Sequence, residues 1–276
     1  MARRPTALVT GASRGIGRAC AHALADAGFD VAFTARTARE GEGRDDSVAG
    51  EVAIEGSLER TAAEVRERGA EPLPLFADLM DHESLRAAVA ATLAAWGQLD
   101  VLVLNAVHTG AGNMSLLLDT PIEAVVTKLM ANAAAQVVLV QAALPAMIAA
   151  GGGRIICITS YSATHSPPAP VGEGGWGYPY AASKAAFHRL AGHLAVEYGD
   201  AGVIAVNVDP GHVLTERMLA NSRRLGLEGR YHGAPPSAPA AAVAWLASAP
   251  EAAELNGQSV EGLRLVLERG LHPDWR

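Results

Sequence analysis

Short runs rich in β-branched and other apolar residues alternate along the chain with longer stretches in which apolar positions recur every three or four residues. The first pattern predicts strands and the second amphipathic helices. Strands are predicted at Ala7–Thr10, Val31–Ala35, Pro72–Phe76, Val101–Leu104, Arg154–Thr159, Val203–Val208 and Ser259–Leu263. Between the first two, Ile16, Cys20, Ala23, Leu24 and Ala27 fall on helical spacing, and Gly28 supplies the stop. Further helices are predicted over Leu58–Arg68, Glu83–Trp96, Pro121–Ala150, Tyr180–Tyr198 and Ala240–Ser248. Regular alternation of this kind predicts parallel βαβ units, hence an α/β fold with a doubly wound parallel sheet and helices on both faces.

Two segments break the alternation. Arg36 to Gly56 is rich in Gly, Glu, Arg and Asp and reads as a solvated loop after the second strand. Ala163 to Pro179 holds Pro167, Pro168, Pro170 and four glycines from Gly172 to Gly177, a composition that excludes regular structure. Lying just before a long helix, it is a candidate rim or lid over a site.

Composition narrows the reading further. The chain has 276 residues, a length at which a large α/β sheet folds as one domain, and 50% of them are apolar against 18% charged. A formal net charge of −7 with no Lys/Arg run argues against nucleic acid and for a small-molecule partner. The N-terminus is basic for four residues but has no apolar stretch of signal-peptide type. The apolar region from Ala131 to Ala150 is interrupted by Asn132, Gln136, Gln141 and Pro145, so no membrane span is expected. Cys20 and Cys157 have neither disulfide nor metal spacing and are expected as core thiols in a reducing cytoplasm. The scattered histidines, His165 and His212 among them, are assigned to neither catalysis nor metal, and no metal site is expected.

Chemistry enters at Thr10-Gly11-Ala12-Ser13-Arg14-Gly15-Ile16-Gly17, which follows a strand and opens a helix. In that context Gly11 makes a tight turn, Gly15 allows close backbone approach to a diphosphate, and Gly17 allows the helix to pack closely on the strand. The helix N-terminus then offers N–H groups and a positive dipole end to phosphate. A glycine cluster alone is only a flexible turn, but strand, loop and amphipathic helix together predict a Rossmann-type dinucleotide site.

The TGxxxGxG spacing resembles that of the classical short-chain dehydrogenase/reductase family. Three further stretches carry the same resemblance: Tyr180-Ala181-Ala182-Ser183-Lys184 matches YxxxK, Asn207 to Gly211 with Thr215 resembles NxxPGxxxT, and Asp78-Leu79 stands where the family's adenine-contacting acid falls. Together they span residues 6 to 215, and 240–262 resembles the family's last helix and strand. The resemblance implies cofactor contacts from Gly11, Ser13, Arg14, Gly15, Ile16, Gly17, Arg36, Asp78, Leu79, Asn105, Tyr180, Lys184, Pro210, Gly211, Val213 and Thr215. Two departures stand out. The family's NNAG is here Leu104-Asn105-Ala106-Val107, and Ser160 and Tyr180 are 20 residues apart because of the Pro/Gly segment.

NAD-binding folds place an acid about 20 residues past the glycine loop to accept from the ribose 2′-OH. Here the second strand ends Thr34-Ala35-Arg36. Arg36 and Arg14 can instead clamp a 2′-phosphate, although each alone is equally an ordinary surface arginine, and their joint placement favours NADP(H).

Tyr180 and Lys184 are one helical turn apart and share a face. Tyrosine, with a usual pKa near ~10, is a poor base at neutral pH, and a neighbouring ammonium favours its phenolate. Either residue alone is most often a packing or surface residue; the pair, after a Gly/Pro loop, reads as acid/base plus support, and the resemblance gives Lys184 the cofactor ribose as well. Ser160 ends a strand, where active groups of open sheets sit, and can donate to a substrate oxygen, with Thr159 as the neighbouring alternative and a strand-end cap as the plain one. Asn132, disfavoured inside a helix, resembles the family's fourth member, which holds a water for proton relay. Tyr178 cannot replace Tyr180, because its +4 position is Ala182.

The expected activity is hydride transfer between NADP(H) and a carbonyl or alcohol small molecule, as a ketone or aldehyde reductase. A dinucleotide-binding regulator without turnover, and an epimerase or dehydratase recycling its cofactor, are the alternatives. Residues 212–239, with Met218, Leu219, Leu225, Leu227 and Tyr231, are expected to fold over the substrate, while Trp176 and Tyr178 either line its mouth or pack the loop. A homodimer or homotetramer is expected through Pro121–Ala150 and Tyr180–Tyr198, with Ala185, Ala186, Gly192 and Ala195 allowing close approach.

Overall fold

The protein was analysed as a computed structural model that describes residues 3–45, 52–110, 112–224 and 232–275. Its centre is a seven-stranded sheet of β1 (Thr6–Thr10), β2 (Asp30–Ala35), β5 (Pro72–Phe76), β6 (Val101–Leu104), β7 (Gly153–Ile158), β8 (Val203–Asp209) and β9 (Ser259–Glu261). The spatial order is β5-β2-β1-β6-β7-β8-β9 and every pairing is parallel. In β1 all five residues are buried, as a strand covered on both faces requires. Ala7 and Val9 point into one core layer and Leu8 into the other.

The first layer is formed by α1 (Gly15–Asp26), α2 (Leu58–Glu67), α8 (Ser237–Ser248) and α9 (Gly262–Arg269), through residues such as Leu24, Val65, Val243 and Leu265. The second is formed by α3 (His82–Trp96), α5 (Ala135–Ala149) and α6 (Tyr178–Tyr198), through Val89, Leu139 and Phe187. The chain leaves β1 toward β2 and β5 on one side and later resumes at β6 on the other. The strand order therefore reverses between β1 and β6, and a crevice opens at their carboxyl ends, where open α/β sheets take their ligands.

Five features differ from the sequence expectation. The helix expected over Pro121–Ala150 comprises α4 (Ile122–Leu129), a π-helical turn at Met130–Ala134, and α5. By length and hydropathy Ile122–Ala149 is sufficient to cross a membrane, against expectation, yet 56% of its most apolar window is buried inside the protein. The segment after β2 carries a small hairpin of β3 (Arg44–Asp45) and β4 (Val52–Ala53). The expected strand Ser259–Leu263 ends at Glu261, because Leu265 and Val266 dock at helical spacing and start α9 at Gly262. Finally, the segment read as a substrate loop contains α7 (Glu216–Arg224).

Candidate active site

The turn from β1 into α1 puts the glycine loop at the crevice. Gly11 and Gly15 have φ of 71° and 58°, the left-handed region that favours glycine. A Cβ on Gly17 would stand 2.3 Å from the Gly11 carbonyl oxygen and 2.5 Å from Asn105 Nδ2, so the first turn of α1 packs directly on the end of β1. Thr10 Oγ1 donates to the Val103 carbonyl and accepts from the backbone N–H groups of Asn105 and Ala106. Asn105 Nδ2 donates to the carbonyl oxygens of Thr10 (2.8 Å) and Gly11 (3.2 Å). Its amide thus braces the two strand ends that frame the crevice.

Gly11, Ser13, Arg14, Gly15, Ile16, Gly17, Arg36, Asp78, Leu79, Asn105 and Thr215 all line this one cleft. Pro210, Gly211 and Val213, on the connection from β8 to α7, and Tyr180 and Lys184, on α6, are not among its lining residues. Arg14 behaves differently from a free phosphate clamp. Its Nε donates to the Glu55 carbonyl at 2.8 Å and its Nη2 to that of Gly56 at 2.8 Å, closing the segment after β2 onto the loop. Sequence reasoning missed Arg44, His108, Glu216 and Arg217, which line the same cleft. The carboxylate of Glu216 accepts from the Gly15 N–H at 2.8 Å and pairs with Arg18. An anionic group therefore already sits on the α1 N-terminus, as the dipole and N–H groups there favour. The glycine turn, that anion contact and the surrounding arginines fit the diphosphate of a nicotinamide dinucleotide.

On the far side of β6, Ser160 caps the short helical turn at Tyr161–Ala163, and its side chain lies near enough to Tyr180 to act on the pKa of the phenol. Ser162, not foreseen, donates to Ser160 Oγ at 3.0 Å. Thr159, the alternative hydroxyl, is buried and donates to the Val208 carbonyl. The Tyr180 pKa is raised, mainly by burial; the Ser160 side chain opposes the shift and the charge of Asp209 adds to it. Lys184 is 4% exposed, and its Nζ donates to the Ile158 carbonyl at 2.8 Å. Burial pushes its pKa down to about 8.

Asn132 lies in the π-helical turn, where the broken helical ladder explains a residue disfavoured in regular helix. Its Oδ1 accepts from the His108 N–H at 2.7 Å and its Nδ2 donates to Ser183 Oγ at 3.1 Å. Ser183 Oγ in turn donates to the Tyr180 carbonyl, so a hydrogen-bonded path runs from the cleft-lining His108 to the helix that bears Tyr180. Lys128, also buried, donates to the carbonyls of His108 and Gly110 and fixes the segment after β6.

The rim is aromatic. Tyr161 stacks on His165 with ring centroids 3.8 Å apart and meets the Trp176 edge at 6.2 Å, so Trp176 packs the loop beside Ser160. Tyr178 opens α6 and is exposed. Met218 and Leu219 are on α7, while Leu225, Leu227 and Tyr231 fall outside the described residues.

This geometry agrees with comparison to known proteins. A short chain dehydrogenase from Pseudocercospora fijiensis is 32% identical over 213 residues, 76% of this chain, and the match spans only 60% of that longer protein. The 3-oxoacyl-[acyl-carrier-protein] reductase FabG of Escherichia coli is 33% identical over 92% of this chain and 93% of its own. The structure of a 3-oxoacyl-[acyl-carrier protein] reductase from Brucella melitensis in complex with NAD superposes with a TM-score of 0.77 at 28% identity, covering 95% of this chain and 96% of that one. The sequence profile of short chain dehydrogenases matches residues 5–225. That match runs from β1 past the end of α7 and takes in both the glycine loop and the Tyr180–Lys184 pair, and the chain belongs to the short-chain dehydrogenase/reductase family, whose fold and oxidoreductase character it shares.

Proposed function

We propose that this protein is an NADP(H)-dependent reductase of a ketone or aldehyde, with Tyr180 as the acid that protonates the substrate oxygen. The observation that carries the reading is the nearness of Ser160 to Tyr180, whose pKa it acts on, with Lys184 buried one helical turn further on. When bound, the reduced dinucleotide supplies the hydride that goes to the carbonyl carbon. Tyr180 releases its phenolic proton to the carbonyl oxygen, and the C=O becomes an alcohol. Ser160 donates to the same oxygen while negative charge develops there. The raised Tyr180 pKa suits this direction, because the residue is held as the neutral phenol, the form able to give a proton. Lys184, whose pKa is pushed down to about 8, still carries its proton for the most part at neutral pH; in this reading it holds the cofactor ribose and resupplies Tyr180. Asn132 orders the His108 backbone and α6 around them. Consumption of reduced dinucleotide with a panel of carbonyl compounds tests the activity; turnover without net consumption would instead favour an epimerase or dehydratase.

The choice of NADP(H) is supported by Arg36 at the end of β2, lining the cleft at the place where NAD-binding folds carry an acid. NADPH is expected to bind tighter than NADH, and Arg36→Ala to remove much of the difference, roughly tenfold, as loss of a charge-assisted contact does. Fluorescence titration with both dinucleotides measures this, and equal affinities in the unmodified protein would contradict it.

A homodimer or homotetramer is expected through α4, α5 and α6. Ile122, Val126 and Met130, four residues apart on one stripe, are 66%, 53% and 41% exposed, and Val196 of α6 is 88% exposed. Apolar stripes of this extent are usually covered. Light scattering at micromolar concentration should return a multiple of the chain mass; a monomer would argue against the arrangement. The two buried free thiols suit a cytoplasmic protein.

A further inference from the structure

The adenosine end of the cleft carries more positive charge than the glycine loop and the end of β2 supply. Arg44 from the β3–β4 hairpin and Arg217 from the first turn of α7 line it together with Arg14 and Arg36. Arg14 is already bound to the backbone carbonyls of Glu55 and Gly56, and Arg44 donates to those of Gly41 and Gly43. Arg217 pairs with a side chain. Its Nε lies 3.8 Å from Oδ1 of Asp45, a carboxylate only 1% exposed on β3. That pair joins two segments distant in sequence, the hairpin after β2 and the helix after β8, over the same cleft.

The position of Arg217 is fixed from its neighbour as well. Glu216, the preceding residue, binds the Gly15 N–H and Arg18, which docks the first turn of α7 on the phosphate loop. Arg217 is then close enough to Arg14 for its charge to help lower the Arg14 pKa, second only to burial. Guanidinium groups kept this close in one cleft repel each other, and a multiply charged anion between them relieves the repulsion. A guanidinium has five N–H donors, and its planar fork matches a phosphate.

We propose that Arg217 is a determinant of dinucleotide choice, binding the 2′-phosphate of NADP(H) from α7, with Asp45 as the buried counter-ion that orients it. The assignment rests on the NADP(H) reading above and adds to it a contact made by the substrate-side helix. Cofactor choice and the docking of α7 are thereby linked: the 2′-phosphate helps to hold the helix that lies over the substrate.

The test uses the full chain, titrated with NADPH and NADH by fluorescence of the reduced nicotinamide, for the unmodified protein, Arg217→Ala and Arg217→Lys. Competition by 2′,5′-ADP and by 5′-AMP against bound NADPH separates the phosphate from the rest of the adenosine. Arg217→Ala is expected to weaken NADPH and 2′,5′-ADP about tenfold or more while NADH and 5′-AMP change little, and Arg217→Lys to fall between, since it keeps the charge but not the fork. If the unmodified protein binds both dinucleotides equally, the NADP(H) reading fails and this assignment with it. If it prefers NADPH and both variants keep that preference whole, only the assignment of Arg217 fails. Equal loss for all four ligands likewise overturns it, since that result marks a residue that merely holds α7. Should Arg217→Ala not fold, Arg217→Lys with an unchanged ratio of the two affinities decides against the proposal.

Discussion

Tyr180→Phe is expected to lose turnover almost entirely, by roughly 10²–10⁴-fold, while its affinity for NADPH stays close to that of the unmodified protein. The change removes one oxygen from a ring that otherwise keeps its packing on α6. That oxygen is the group proposed to exchange a proton with the substrate, whereas the loop proposed to hold the diphosphate, Gly11 to Gly17, lies on the other side of β6. Lys184→Ala should behave differently. It deletes a buried amine bonded to the Ile158 carbonyl and leaves that acceptor and a void behind, so rate, cofactor affinity and stability should all fall. Steady-state rates and fluorescence titration of both variants give the contrast. Full activity in Tyr180→Phe, on a substrate that the unmodified protein reduces, would mean that the proton comes from elsewhere.

Gly17→Val is expected to abolish dinucleotide binding and to lower the thermal midpoint. The atoms a Cβ would meet, the Gly11 carbonyl oxygen at 2.3 Å and Asn105 Nδ2 at 2.5 Å, are themselves hydrogen-bonded to each other and cannot swing aside as a flexible side chain would. Either α1 lifts from the end of β1 or the bond between Asn105 and the loop breaks. Overpacking of this kind costs about 1–3 kcal/mol, and here the displaced part is the phosphate loop itself. Calorimetry and a binding titration read the two effects separately; a variant with unchanged midpoint and affinity would show that Gly17 does not set the loop.

The sheet was legible because each buried strand is a short apolar run and each flanking helix repeats at its own period, which is why Pro72–Phe76 and Val101–Leu104 are found where the pattern puts them. The tail was not. Ser259 to Leu263 reads as a strand, and only the docking of Leu265 and Val266 turns its last two residues into the start of a helix. The π-helical turn left one trace in the sequence, an Asn where helices disfavour it, and nothing local says how that Asn is bonded. Nothing in the local sequence marks Lys128 for burial, which depends on two carbonyls about 20 positions earlier in the chain. The pairings of Glu216 with Gly15 and of Arg217 with Asp45 join residues so far apart that no periodicity or spacing connects them. Motif spacing thus gave the groups that one helix or one turn brings together, and the groups assembled by the closing of α7 over the sheet required the three-dimensional structure.

The carboxylate of Glu216 on the Gly15 N–H makes dinucleotide binding at that point an exchange. A diphosphate that takes the N–H must release an acceptor already there, and Glu216 must find water or another donor, with Arg18 as its remaining partner. The free energy measured on titration is therefore the difference between two occupied states, smaller than the diphosphate contact would give on a bare helix end by whatever the internal contact contributes.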